Sequence, residues 1–347
     1  MKKLVKPKKL KPGDKIATIS LSWGGAGEVP HRYEQGKRQL EDLFGLTVTA
    51  TKNALKPADW IYKNPQARAE DLMESFADSS IKAIISNIGG EDSIRILPYM
   101  DHSVITGNPK IFLGFSDTTV THLSCYKAGL VSFYGISTLT GFAENGGMFP
   151  YQIADIQRNL FSSAPIGQIQ PNLNGWTSER LEWTDISLLQ TKRQLTTGIG
   201  WNFLQGTKIV TGRLIGGCLE VLEFVKSTSL WFDAEDWEGA ILFLETSEVM
   251  MSPINFKWIL WNYAAQGIFH QINGIIVGRP YNNQFAAEYN QILLQIIREE
   301  LQLTELPIIT EMDFGHTAPA FTIPYGLTAE INCEKQSFTI LENGVED

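Results

Sequence analysis

Three cysteines in 347 residues, Cys125, Cys218 and Cys333, are too few, too far apart and odd in number for a disulfide framework, and no CxxC spacing suggests zinc. No apolar run reaches the roughly 18 residues that span a bilayer, so no membrane partner is expected. Positive charge is also scarce: a net charge of -9 disfavours the basic face that nucleic acid requires. Seven lysines crowd the first fifteen residues, but Pro7 and Pro12 interrupt them and no apolar signal segment follows. That stretch reads as a solvated basic tail on a cytoplasmic protein, and no metal or organic cofactor is called for.

The composition, 43% hydrophobic and 19% charged, is that of a globular chain long enough for two domains. Short β-branched runs recur at Lys15–Ser22, Leu46–Ala50, Lys82–Ile88, Lys110–Phe115 and Leu130–Tyr134. Between them lie patterns of helical spacing, such as Val29, Tyr33, Leu40 and Phe44. Alternation of strand and helix predicts an α/β fold, with a doubly wound, mainly parallel sheet over residues 1–165. Residues 166–207, rich in Pro, Asn, Gly and Thr, read as a connector carrying a substrate loop. A smaller α/β domain is expected over 208–347, with strands at Ala240–Leu244, Gly274–Val277 and Leu306–Thr310 and a hairpin within Thr322–Leu341.

Ligands of such sheets bind beyond the carboxyl ends of the strands, which directs attention to the loops at Ser22–Gly27, Asn87–Glu91 and Phe115–Thr118. Ser116 stands where an apolar strand stops and a helix over Thr118–Ala128 begins, an elbow that exposes a hydroxyl beside free N–H groups. The plain alternative is that Ser116 or Asp117 caps the helix. A serine nucleophile needs a base, and among five histidines His316 alone lies in a glycine-bearing loop after a strand. A surface histidine would look the same. Glu245 follows an apolar run and is the preferred partner for the imidazole, with Glu248 as its competitor. Gly89 and Gly90 let backbone approach a ligand, so the N–H groups of Gly90 and Asp117 are candidate oxyanion donors; a tight turn is the alternative. Gly24, Gly25 and Gly27 form only a fragment of a dinucleotide fingerprint.

Four segments in this order and spacing, Ser86-Asn-Ile-Gly-Gly90, Gly114-Phe-Ser-Asp117, Gly212-Arg-Leu-Ile-Gly-Gly217 with Leu244-Glu245, and Asp313-Phe-Gly-His-Thr317, resemble the serine LD-carboxypeptidases and, within them, the microcin C immunity peptidases. The resemblance implies a Ser116, Glu245, His316 triad split between two domains, Gly90 and Asp117 as oxyanion donors, Gly89 at the substrate, and a homodimer. Leu181-Glu-Trp183 looks like the loop that brings a tryptophan onto a nucleobase, which makes Trp183 the expected base platform; packing between domains is the alternative. The expected substrate is a peptidyl- or aminoacyl-nucleotide cleaved at a carboxamide. A murein tetrapeptide cut by an LD-carboxypeptidase is the second reading, and a non-catalytic two-domain protein that clamps a small ligand is the third.

Overall fold

The computed structural model describes residues 3–198 and 200–347; residues 1 and 2 of the lysine-rich tail and residue 199 of the expected connector lie outside the described residues. β1 (Lys15–Ile19), β2 (Thr47–Ala50), β3 (Ile81–Ser86), β4 (Ile111–Gly114) and β5 (Phe133–Tyr134) form a parallel sheet in the order β2-β1-β3-β4-β5. β3 and β4 are buried at nearly every position, as expected for a parallel strand covered on both faces. The order changes direction at β1 and β3, so the loops after these strands open onto a crevice where a ligand can enter.

β6 (Gly167–Ile169) and β7 (Asn202–Gln205) lie within the expected connector and join opposite edges of a second sheet. Its centre is parallel: β8 (Ile209–Cys218), β9 (Ile241–Glu245), β10 (Gly274–Gly278) and β11 (Ile308–Met312). β12 (Ile323–Pro324) crosses to the first sheet and pairs antiparallel with β5. β13 (Thr328–Asn332) and β14 (Ser337–Ile340) then form the expected hairpin beside β8. The ten-residue β8 was not expected as a strand, although it is central. Gly212, Gly216 and Gly217 dilute its β-branched content, and its neighbours β9 and β13 supply the pairing that its composition does not advertise.

One apolar core runs through both sheets and joins Leu113 and Phe133 of the first to Phe243 and Ile275 of the second. The strands that lead to Ser116 and Glu245 are therefore packed into the same core. Truncating a buried leucine or isoleucine in such a core costs roughly 2 to 5 kcal/mol. The solvated reading of the lysine-rich start is corrected: Val5 pairs with Leu130, Leu10 is buried, and Lys6 forms an ion pair with Glu342 at 3.0 Å. Proline-broken sequence hid the fact that these residues pack along the chain's other end. No helix among the described residues is long and apolar enough to cross a membrane.

Candidate active site

β4 ends at Gly114, and two residues later Ser116 takes a left-handed backbone conformation, φ 62°, before a tight turn leads into the helix Thr119–Lys127. A non-glycine residue in that region stores roughly 1 to 3 kcal/mol, so surrounding structure must enforce it. Part of that enforcement is visible: the Ser116 N–H donates to the Tyr134 hydroxyl at 2.9 Å, and Thr119 Oγ1 donates to the Ser116 carbonyl at 2.7 Å. The Ser116 side chain makes no capping bond to the helix. Its Oγ instead lies 3.0 Å from His316 Nε2.

The His316 loop follows β11. Gly315 precedes the histidine at φ 91°, and a Cβ there would come within 2.8 Å of Glu245 Oε2, so only glycine lets the loop pass so close. Asp313 ties the loop down through bonds from Trp201 Nε1 at 2.7 Å and the Asn172 N–H at 2.9 Å, and through an ion pair with Arg279 at 3.2 Å. Glu245, the last residue of β9 and fully buried, accepts from His316 Nδ1 at 2.6 Å through Oε2. Its other oxygen accepts from the Tyr134 hydroxyl at 2.5 Å. Tyr134 thus joins the Ser116 backbone to the Glu245 carboxylate. Sequence reasoning did not single it out, although it ends a buried strand just as Glu245 does.

Glu248 also reaches the histidine, but from the opposite side: its Oε2 lies 3.1 Å from Nε2. Burial pulls the His316 pKa down, but Glu245 first and Glu248 next outweigh it and lift the imidazole to about 10. The bond from His316, opposed by burial, lowers Glu248 to about 2. The two glutamates that compete for one role in the sequence occupy different nitrogens of the same ring.

Facing Ser116 across the crevice is the loop after β3. A Cβ on Gly89 would stand 3.1 Å from Ser116 Oγ and 3.3 Å from the Asp117 nitrogen, so glycine keeps the space above the hydroxyl open. Gly90 follows at φ 147°, where a Cβ would collide with Ser22 Oγ at 2.2 Å. Behind this loop Asp92 accepts from the buried Arg68 at 2.8 and 3.1 Å and from Ser22 at 3.1 Å. The Asp117 side chain does not point at a reacting atom: one oxygen accepts from the Ser93 N–H at 2.8 Å, and burial raises its pKa.

Ser116, His316, Gly89, Gly90 and Glu248 line a cavity of about 850 Å³ that also reaches Trp183 in the connector. Trp183 packs on Trp23 with ring centroids 6.3 Å apart, has Arg32 at 4.4 Å and Arg180 at 4.9 Å from its ring, and is fixed by its carbonyl to His31 Nε2 at 2.7 Å. Burial draws the Arg32 pKa down to about 10, which leaves it charged at neutral pH. The structure therefore brings Ser116, His316, Gly89, Gly90 and Trp183 to one cavity, with the side chains of Glu245 and Asp117 buried behind its wall. Arg32 and Arg180 escaped the sequence reading, because nothing in their spacing marks them.

Comparison with known proteins fits this geometry. The LD-carboxypeptidase N-terminal domain matches residues 16–135 and the LD-carboxypeptidase C-terminal domain residues 211–331. The crystal structure of an MccF-like protein from Streptococcus pneumoniae in complex with AMP is 36% identical, superposes with a TM-score of 0.86, and covers 94% of this chain and 98% of its own. The microcin C7 self-immunity protein MccF of Escherichia coli is 26% identical over 95% of this chain and 94% of its own length. The "probable murein peptide carboxypeptidase" of Bacillus subtilis is 26% identical over 99% of this chain and 96% of its own. With two matched domains on either side of the crevice and relatives that span the whole chain, this protein belongs to the LD-carboxypeptidase family of serine peptidases.

Proposed function

We propose that Ser116, His316 and Glu245 form the catalytic triad of an amide hydrolase. The observation that carries this reading is the continuous hydrogen-bonded line from Ser116 Oγ through His316 to the buried Glu245 carboxylate, at 3.0 and 2.6 Å. With Nε2 unprotonated, His316 takes the Ser116 proton as Oγ attacks the carbonyl carbon. The Gly90 and Asp117 N–H groups hold the oxyanion that forms, and donors of this kind contribute roughly 10²- to 10³-fold each. His316 then passes the proton to the leaving nitrogen, the C–N bond breaks, and an acyl ester remains on Ser116. Water, deprotonated by His316, cleaves that ester and restores the serine hydroxyl.

For the substrate we favour an aminoacyl- or peptidyl-nucleotide. Trp183 offers an aromatic platform, and Arg32 and Arg180 beside it offer charge to a phosphate or sulfamoyl group. The relative from Streptococcus pneumoniae holding AMP has the same fold at 36% identity, which is consistent with this choice. A murein tetrapeptide is the second reading, favoured by the relative from Bacillus subtilis. The non-catalytic alternative is set aside, since the family is one of peptidases. The test is hydrolysis of an aminoacyl sulfamoyl adenosine and of a murein tetrapeptide by wild type and Ser116→Ala, read by mass spectrometry. Cleavage of the adenosine conjugate that disappears in the variant supports the favoured reading. Cleavage of the tetrapeptide alone replaces the substrate, and full activity of Ser116→Ala removes the triad.

A further inference from the structure

An imidazole that accepts a proton from serine must present a bare lone pair, yet both nitrogens of His316 face carboxylates. Glu245 takes Nδ1 at 2.6 Å, and Glu248 stands 3.1 Å from Nε2, the nitrogen that also faces Ser116 Oγ at 3.0 Å. A carboxylate on each side favours a proton on each nitrogen. While Glu248 stays there, Nε2 is a donor and cannot serve as the base. We propose that Glu248 is a removable lock on the triad: in the resting enzyme it holds a proton on His316 Nε2, and its departure when substrate enters frees that nitrogen to take the Ser116 proton. Only the Nε2–H bond is broken in unlocking, and its proton goes to bulk water. Glu248 is in this sense a positioning residue, and the inference rests on the triad reading above.

The two carboxylates differ in the way a fixed partner and a movable one should. Glu245 ends a strand with no exposed surface and a second bond from Tyr134, whereas the Glu248 side chain is 50% exposed. Glu248 lies in the loop between β9 and the helix Pro253–Ala265, followed by Val249 at 71% exposure and by Met250 in a left-handed conformation. The loop is held at its ends instead: Ser247 bonds Glu220 through both N–H and hydroxyl, at 3.0 and 2.8 Å, and Ser252 caps the helix. Glu248 also lines the cavity, so an acyl group brought to Ser116 meets its carboxylate.

The remaining groups around the ring do not replace this contact. Tyr134, from the first sheet, spends its proton on Glu245; the Cys218 thiol at the end of β8 donates to Glu220; and Arg180, from the connector, acts on Glu248. The raised pKa of His316 agrees with a carboxylate on each nitrogen.

The experiment compares wild type with Glu248→Gln, which keeps the shape and removes the charge. The His316 ring is titrated by nitrogen-15 NMR in the substrate-free enzyme, and kcat/KM for an aminoacyl sulfamoyl adenosine, or for the murein tetrapeptide if that is what the wild type cleaves, is followed against pH. We expect the His316 midpoint to fall by about one unit or more, a loss of roughly tenfold in proton affinity. The acid limb of kcat/KM should move down with it, so that below the wild-type midpoint the variant is several-fold faster. An unchanged His316 midpoint overturns the lock, as does a variant slowed equally at every pH. The NMR titration needs no substrate, so it stands apart from the triad reading, which fails separately if Ser116→Ala retains activity.

Discussion

Two histidines, one packed on Tyr134 and one linked to it through Glu245, face opposite electrostatic surroundings. His122, in the helix Thr119–Lys127, has Nδ1 2.8 Å from Ser132 Oγ and Nε2 2.9 Å from the Gly114 carbonyl. A carbonyl can only accept, so Nε2 carries the proton and Nδ1 accepts from the serine. With neutral partners alone, burial drives its pKa down to about 3. His316, whose side chain is nearly enclosed but borders the cavity, is instead raised to about 10 by two carboxylates. The Tyr134 ring contacts His122 at 5.3 Å, while its hydroxyl donates to Glu245. The lesson is that enclosure does not set the charge of a histidine; the ionised or neutral character of its two partners does. One histidine bonds the carbonyl that ends the strand before Ser116, and the other sits between two carboxylates beside the Ser116 hydroxyl.

The sharpest way to break the comparison is to exchange the losses. His316→Gln should lower kcat by roughly 10³- to 10⁴-fold, since the proposed triad loses its base, and should also destabilise the protein near neutral pH, since the buried Glu245 loses its partner. His122→Leu should be felt mainly in stability. It strands the Gly114 carbonyl and the Ser132 hydroxyl, costing roughly 1 to 3 kcal/mol, with a smaller effect on rate transmitted through the Ser116 elbow. Steady-state kinetics and thermal unfolding on both variants decide the matter, and equal kinetic damage would erase the distinction. Next in size is Glu245→Gln, which removes the fixed charge. His316 should then titrate closer to its ordinary value of 6.5, and kcat should fall by roughly 10²-fold or more. Tyr134→Phe is milder: it deletes the bond to Glu245 at 2.5 Å and the acceptor for the Ser116 N–H. A loss of about tenfold in kcat and of roughly 1 to 3 kcal/mol in stability is expected.

Much of the scaffold was legible because parallel strands advertise themselves as short β-branched runs and end at glycine or polar residues. β3, β4 and β9 fall within a residue or two of their expected places, and Ser116 and His316 were singled out by position after a strand. What stayed hidden was of three kinds. β8 is glycine-rich and depends on its neighbours for pairing. The burial argument favoured Glu245 over Glu248, but a line of residues could not show that both reach one imidazole from opposite sides, which only the chain's path after β9 brings about. Arg32 and Arg180 lie 148 positions apart and meet only because the connector folds back over the first sheet onto Trp183.

The most gradual effect expected from the contrast is also the most direct reading of both rings, the dependence of stability on pH. The folded pKa of His122 lies below the ordinary 6.5, so below that pH the unfolded chain takes up a proton that the folded one refuses. Its stabilising contribution is complete above pH 6.5 and drains away as pH falls toward 3. His316 has the opposite sign. Its folded pKa lies above 6.5, so its contribution is complete below that pH and is lost as pH rises toward 10. Each ring can contribute a slope of up to about 1.4 kcal/mol per pH unit within its own window. Chemical denaturation across pH 4 to 9 should therefore show His122→Asn flattening only the acid side and His316→Gln flattening only the alkaline side. A His316→Gln profile with an unchanged alkaline slope would mean that the ring is neutral in the resting protein, and that the two histidines differ in exposure to substrate rather than in charge.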